Sequence, residues 1–154
     1  MPIHSSQSLV IDTNIWIYLS TCGLVDAAFR LGSLHVPDLM RTKELITQLS
    51  WQDLQDKGAT FEELTSDSVR TLIEILDTTR GVSLCDVACL VLAEQMHISL
   101  ITHDKKLLAL ARKRNVLTRN FDALLDLMAT AGIIDESVHA VAIQTLAEHD
   151  MRPR

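Results

Sequence analysis

Two segments of this chain share the same order of features: a short apolar strand, then an aspartate, then a helical pattern. In LVIDTN, Asp12 follows a strand predicted over residues 8–11, and in ISLITHD, Asp104 follows a strand predicted over 98–101. Strands that alternate with helices in this way are typical of parallel α/β sheets, whose ligand sites form where the strands end. The chain is therefore predicted to be an α/β protein with Asp12 and Asp104 at one edge of a parallel sheet.

A third aspartate opens the most apolar helix of the chain. Residues 83–96 predict a helix with apolar side chains on nearly all sides, as expected for a central helix that packs against several neighbours. Ser83 and Asp86 at its start match the S-x-x-E capping box, with the shorter acid in the last position. Because Asp12 and Asp104 also precede predicted helices, N-capping is an alternative interpretation for all three acids. A buried carboxylate that is not a cap must be paired, hydrogen-bonded, protonated or bound to a metal.

The remaining pattern predicts a single domain. A chain of 154 residues has the length of one domain. We assign that domain to residues 1–154, with a core over about 8–134 and a C-terminal helix and tail over 135–154. The further predicted elements are helices over 13–20, 24–31, 38–55, 66–79, 105–114, 120–131 and 137–148, the last beginning at 135 or 137, and strands over 34–36 and 115–118.

The composition indicates an aliphatic core and predicts no membrane span. The chain is 47% hydrophobic, 22% charged and 4% aromatic, which argues against disorder outside the ends. Its N-terminus lacks the basic region and long apolar run of a signal peptide, so we expect a cytoplasmic protein. The three cysteines, Cys22, Cys85 and Cys89, have no C-x-x-C spacing, so they predict neither a disulfide framework nor a zinc site.

The distribution of basic residues contrasts with the overall charge. A net charge of −6 argues against a protein that coats nucleic acid through its overall field. One stretch that contains no acid is nevertheless strongly basic: Lys105, Lys106, Arg112, Lys113 and Arg114. Two interpretations of this stretch remain open, namely a solvated helix face and a patch that contacts RNA phosphates beside the predicted acidic edge.

The order and spacing of the short motifs together resemble a known family. D-T-N follows the first strand, an acid follows a proline-led helix start, S-x-x-D-x-A opens the buried helix, and T-x-D comes eighteen residues later. This series resembles the PIN-domain nucleases, in particular the toxin ribonucleases of toxin–antitoxin modules. The resemblance extends to about Ile134, and the segment NFDALLDLMATAGII is similar to the closing helix of one PIN subfamily.

The resemblance implies a three-layer α/β/α sandwich with a central parallel sheet and a catalytic pocket formed by four acids, Asp12, Glu44, Asp86 and Asp104. Asp38 and Asp53 lie near Glu44 in the sequence and remain alternatives for its position. The pocket would bind Mg²⁺ or Mn²⁺ through Asp12, Asp86 and Asp104, since hard divalent cations prefer oxygen ligands.

Three further residues are implied as supporting groups of that pocket. Asn14 would position Asp12 or a bound water, Thr102 would orient Asp104, and Ser83 would hydrogen-bond Asp86, whereas His103 is assigned no role. The implied activity is metal-dependent endonucleolytic hydrolysis of RNA. An antitoxin protein and a second copy of the chain, in a homodimer, are the implied protein partners.

Two other functions compete with the ribonuclease. The first is a catalytically inactive PIN-like domain that binds RNA or protein, in which the acids serve as caps. All four acids at one edge of the sheet favour the enzyme, and two acids that point away favour the binding domain. The second is a response-regulator-like or phosphatase-like domain, which needs an acidic pair beside the first strand and a lysine after a late strand. Here the first strand is followed by Asp12 alone.

Overall fold

The computed structural model describes residues 7–43 and 50–148, which form an all-parallel five-stranded sheet and eight α-helices. The strands are β1 (Gln7–Ile11), β2 (Gly32–Pro37), β3 (Thr60–Glu62), β4 (Ser99–Ile101) and β5 (Thr118–Arg119). The helices are α1 (Thr13–Thr21), α2 (Val25–Leu31), α3 (Trp51–Lys57), α4 (Ser66–Thr78), α5 (Leu84–Met96), α6 (Lys105–Lys113), α7 (Phe121–Thr130) and α8 (Glu136–Glu148). A 3₁₀ helix spans Asp38–Thr42.

The order of the strands places the two acid-bearing junctions side by side. The sheet runs β3-β2-β1-β4-β5, so the chain builds outward from β1 on one side and then crosses to the other side at β4. Ile11 of β1 is in register with Ile101 of β4. The crevice between β1 and β4 is thus the topological switch point, where ligands bind in open parallel sheets. We call this end of the two strands the carboxyl edge.

Alternate residues of β1 divide the core between the two faces of the sheet. Leu9 and Ile11 pack with α1, α2, α7 and α8 on one face, whereas Val10 packs with α4, α5 and α6 on the other. This alternation follows from the two-residue repeat of a strand buried on both sides. The fold is therefore a three-layer α/β/α sandwich with a central parallel sheet, which confirms the predicted fold class.

Helix α5 is the most deeply buried helix of the described chain. Its seven consecutive residues Val87–Ala93 are each at most 1% exposed. The predicted central position of this helix is confirmed. The helix ends at His97, whose left-handed backbone (φ 57°) reverses the chain toward β4.

The region after β2 differs from the prediction of one helix over 38–55. The 3₁₀ helix ends at Thr42, Lys43 is extended, and α3 begins only after Ser50, which is also extended. Ser50 accepts a hydrogen bond from Asp53 N (3.0 Å), and Asp53 Oδ2 accepts one from Ser50 N (2.9 Å). This reciprocal capping box starts a new helix, so the prediction of a continuous one was wrong.

Two strands also differ from their prediction. Strand β3 was not predicted, because its three residues contain one apolar side chain, Phe61, and a pattern that short is not distinctive. The predicted strand over 115–118 lies later, at Thr118–Arg119. In the part of the chain that the structure describes, no helix has the length and apolar character needed to cross a bilayer.

Truncating Leu90 in α5 tests the burial of this helix. Leu90 is fully buried, so Leu90→Ala should lower the free energy of unfolding by about 2–5 kcal/mol through lost burial and a cavity. Leu117→Ala is the matched control, because Leu117 is 75% exposed and the same truncation there should change stability by at most about 0.5 kcal/mol. Urea denaturation measures both values. Equal losses in the two variants would contradict the central position of α5.

Candidate active site

Asp12 is held at the carboxyl edge by the pairing of β1 with β4. Its N–H donates to Ile101 O (3.1 Å), which continues the ladder beyond the last strand residue. Its side chain is buried, and Oδ2 accepts a hydrogen bond from the Thr102 hydroxyl (2.8 Å). Oδ1 is also buried and has no hydrogen-bond partner among the described residues. Asp12 occupies the N-cap position of α1 but makes no side-chain capping bond, so capping does not explain this acid.

Thr102 connects Asp12 to Asp104. The Thr102 side chain is fully buried, and its hydroxyl donates to Asp12 and accepts a hydrogen bond from Asp104 N (3.1 Å). The sequence predicted that Thr102 orients Asp104, and the structure shows that the same hydroxyl also holds Asp12. One hydroxyl therefore fixes the relative positions of both acid-bearing segments.

Asp104 and Asp86 both cap helices. Asp104 Oδ1 accepts a hydrogen bond from Leu107 N (2.9 Å) at the start of α6. Ser83 Oγ accepts one from Asp86 N (3.0 Å) at the start of α5, and Asp86 Oδ2 lies 3.5 Å from Ser83 N in a long reciprocal contact. The capping contacts occupy only Oδ1 of Asp104 and Oδ2 of Asp86, so capping does not exclude a second role for the other oxygen of each carboxylate.

The three carboxyl groups act on one another electrostatically. Burial, together with the charges of Asp86 and Asp104, raises the pKa of Asp12 to about 7 against the opposing hydrogen bonds from the Thr102 hydroxyl and the Thr13 backbone. Burial and the charge of Asp104 also raise the pKa of Asp86, and hydrogen bonds with Ser83 and with the Asp12 carboxyl oppose this rise. Desolvation and like charge both penalise ionised carboxylates. Asp12, Asp86 and Asp104 are therefore close neighbours, and we call them the acidic site.

A cleft of about 240 Å³ opens beside the acidic site at Asp86. Asn14 is exposed and lines this cleft. Lys43, which sequence reasoning missed, lines it as well. Burial raises the pKa of the Cys85 thiol, and the positive charge of Lys43, which lines the same cleft, acts to lower it. Lys43 and Asp86 therefore line the same cleft, so a positive side chain lies beside the acidic site.

The donor atoms of the acidic site are of the type that Mg²⁺ and Mn²⁺ prefer, since all of them are oxygens. The buried Asp12 Oδ1 lacks a hydrogen-bond partner in the described structure, as expected for an oxygen that serves a ligand. Within residues 7–43 and 50–148, however, no three His, Cys, Asp or Glu side chains are arranged to hold one metal ion. The donor chemistry fits a hard divalent cation, and a complete ligand set is not formed.

The fourth acid of the predicted pocket, Glu44, lies outside the described residues. Its two alternatives in the sequence have other partners. Asp38 accepts a hydrogen bond from Arg41 (2.8 Å), and Asp53 belongs to the capping box of α3. Both are thus engaged in local contacts of the segment around the 3₁₀ helix and α3.

The basic stretch extends along the whole length of α6. Lys105 and Lys106 begin α6 beside Asp104, whereas Arg112 and Lys113 lie at its other end, about 12 Å away at 1.5 Å per residue. Arg114 binds Glu94 of α5 through Nε and Nη2, with distances of 2.9–3.1 Å. The carboxyl edge therefore receives the two lysines of this stretch, and Arg114 has a structural role at the opposite end.

His103 links the site to the next helix and was given no role by the sequence. Its Nε2 accepts a hydrogen bond from Phe121 N (2.7 Å), which fixes the start of α7 at the carboxyl edge. The ring is 7% exposed and lies 5.5 Å from the ring of Tyr18. No sequence signal distinguishes this buried acceptor from a surface histidine.

Comparisons with protein-family models and with curated proteins give no match to this chain. The assignment of a function therefore depends on the geometry of the acidic site and on the resemblance of its motifs.

The raised pKa of Asp12 predicts how the free energy of unfolding depends on pH. Unfolded Asp12 ionises near its ordinary value of 3.8, whereas folded Asp12 keeps its proton up to about pH 7. The folded state therefore binds more protons in this window, and in EDTA the free energy of unfolding should fall as pH rises from about 4 to 7. Each unit of pKa difference corresponds to about 1.4 kcal/mol.

Asp12→Asn carries no titrating carboxyl and should flatten this fall, as measured by urea denaturation across the same pH range. Asp77→Asn in α4 is the control, because Asp77 is an exposed residue outside the site. It should retain the wild-type profile. An unchanged profile in Asp12→Asn would show that the Asp12 carboxyl titrates alike in the folded and unfolded states.

Proposed function

We propose that this protein is a metal-dependent endoribonuclease of the PIN type, which hydrolyses phosphodiester bonds of RNA with Mg²⁺ or Mn²⁺. The observation that carries the proposal is Asp12, a buried acid at the topological switch point that makes no capping bond and whose Oδ1 has no hydrogen-bond partner among the described residues. A fold gains no evident stability from such a carboxyl, because an unpaired buried polar atom is costly. Functional sites are where proteins retain groups of this kind.

The residues of the acidic site have separate roles in this proposal. Thr102 holds Asp12 Oδ2 and leaves Oδ1 to face a ligand. Asp86 and Asp104, fixed at the starts of α5 and α6, would complete the oxygen ligands. When bound, the cation would supply an activated water and neutralise charge on the phosphate. The rigid caps limit the motion of Asp86 and Asp104, so a ligand would meet carboxylates that are already ordered.

The inactive binding domain remains a second candidate, and two observations favour it. Asp86 and Asp104 make the contacts expected of caps, and the described residues contain no ready three-ligand metal site. Asp12 argues for the enzyme, because capping leaves its burial unexplained. The enzyme therefore requires Asp12 as a metal ligand, whereas the binding domain requires it only as a cap.

The biological setting follows from the resemblance alone. We propose that the enzyme is the toxin of a toxin–antitoxin pair, that it acts on RNA in the cytoplasm, and that an antitoxin protein binds it. A homodimer is part of the same proposal. The negative charge of the acidic site is consistent with a ligand in which a metal cation accompanies the phosphate.

Cleavage of RNA tests the proposed activity. The purified protein should cleave single-stranded RNA in Mg²⁺ or Mn²⁺ and stop in EDTA, because the cation supplies the nucleophilic water. Asp12→Asn and Asp104→Asn should each lose most of the rate and keep the wild-type circular dichroism. Asp77→Asn, the exposed control, should cleave as wild type does. Cleavage that persists in EDTA, or full activity in Asp12→Asn, would contradict the mechanism.

Stability measurements separate a metal site from a set of caps. Asn caps helices about as well as Asp, so Asp104→Asn should leave the capping of α6 nearly unchanged. If the acids repel one another, the same change should stabilise the protein in EDTA by about 0.5–2 kcal/mol. Asp86→Asn should behave alike.

Mn²⁺ should make the wild type more stable than the two variants, which is the reverse of the order expected in EDTA. At about a hundred times its dissociation constant, an ion that binds the folded state adds about 2.7 kcal/mol to the wild type by mass action. Asp86→Asn and Asp104→Asn should gain much less. Thermal melts with and without Mn²⁺ measure both effects, and identical responses of wild type and variants would show that these acids do not share a metal.

A further inference from the structure

The acidic site creates an electrostatic problem for an RNA substrate. Three neighbouring aspartates and a net charge of −6 repel a phosphate that approaches the carboxyl edge. Salt screens this repulsion only beyond a distance of about 8–10 Å. A positive side chain beside the acidic site would offset part of this repulsion, in addition to the proposed metal ion.

Lys43 lies beside the acidic site and can supply this positive charge. Its backbone carbonyl accepts a hydrogen bond from the buried indole of Trp51 (2.9 Å), which fixes where the residue lies in the wall of the cleft. The residue itself is exposed, and no carboxylate of the described chain forms an ion pair with its amine. By contrast, Lys57 binds Asp26 (2.7 Å) and Arg114 binds Glu94.

The wall that contains Lys43 offers further hydrogen-bond donors. Thr13 belongs to it, and the Thr13 hydroxyl is buried without a partner in the described structure. Asn14 adds an exposed amide. A hydroxyl, an amide and an ammonium are the groups with which proteins contact phosphate and sugar oxygens. These groups line one cleft of about 240 Å³.

We propose that Lys43 binds a backbone phosphate of single-stranded RNA in the cleft beside Asp86, an inference that rests on the ribonuclease function proposed above. The ammonium acts as a point charge that attracts the phosphate whatever the base. It makes this contact in the ground state and in the transition state alike. Lys43 is thus a substrate-binding residue, and its loss should weaken binding without slowing the chemical step.

Steady-state cleavage of a short fluorescein-labelled single-stranded RNA in Mn²⁺ tests this contact. Lys43→Gln should raise KM about tenfold and change kcat by less than about twofold, because uniform binding is what it removes. The slope of log kcat/KM against log salt concentration should become shallower by about 0.7, the value for one phosphate contact to a single strand. Lys43→Arg keeps the charge and should restore most of the wild-type KM.

Lys57→Gln is the matched control, because it removes one positive charge from an exposed ion pair outside the cleft. It should leave KM and the salt slope unchanged. Thermal melts should show that Lys43→Gln stays folded, since the carbonyl that binds Trp51 is retained. If Lys43→Gln matches Lys57→Gln while the wild type cleaves, the Lys43 contact is overturned and the enzyme remains. If the wild type does not cleave, the proposed function fails and this inference fails with it.

Discussion

The parallel pairing of β1 with β4 is the constraint on which the candidate site depends. Their register continues one residue beyond each strand, where Asp12 N donates to Ile101 O and the Thr102 hydroxyl donates to Asp12. The two partners are 90 residues apart in the chain. They meet only because the chain returns through α5 and places β4 directly beside β1, so the same crossover that completes the sheet also creates the crevice in which the acids lie.

The three acids occupy unequal electrostatic positions. All three acids lie at helix N-termini, where backbone N–H groups and the helix dipole favour a negative charge. The Asp12 side chain differs from the other two because it makes no capping bond and is more deeply buried. Burial first, and then the charge of Asp86, raises the pKa of Asp12 to about 7, so a proton on this carboxyl relieves both its desolvation and its repulsion with its neighbour. Asp12, whose side chain makes no capping bond, is the carboxylate that a bound cation would stabilise most.

The fold and the grouping of the acids were predictable from the sequence, whereas the contacts that define the cleft were not. Strand–acid–helix order is a local pattern, and it predicted both the parallel sheet and the meeting of Asp12 with Asp104. The break before α3 had a local signal too, because Ser50 and Asp53 repeat the spacing that was recognised at Ser83 and Asp86. The pairing of Arg114 with Glu94 and the approach of Lys43 to Cys85 depend on tertiary packing, which a linear pattern does not contain.

The position of a charge in space matters more here than its abundance in the sequence. Helix α6 spreads the basic stretch over about 12 Å, comparable to the screening length at physiological salt, so its two ends act on different regions of the surface. Lys106 near the carboxyl edge donates to Arg80 O (3.3 Å), and Arg114 at the far end is neutralised by Glu94. The proposed contact with RNA requires a cation close to the acidic site. Lys43 meets this condition, because it shares the wall of one small cleft with Asp86.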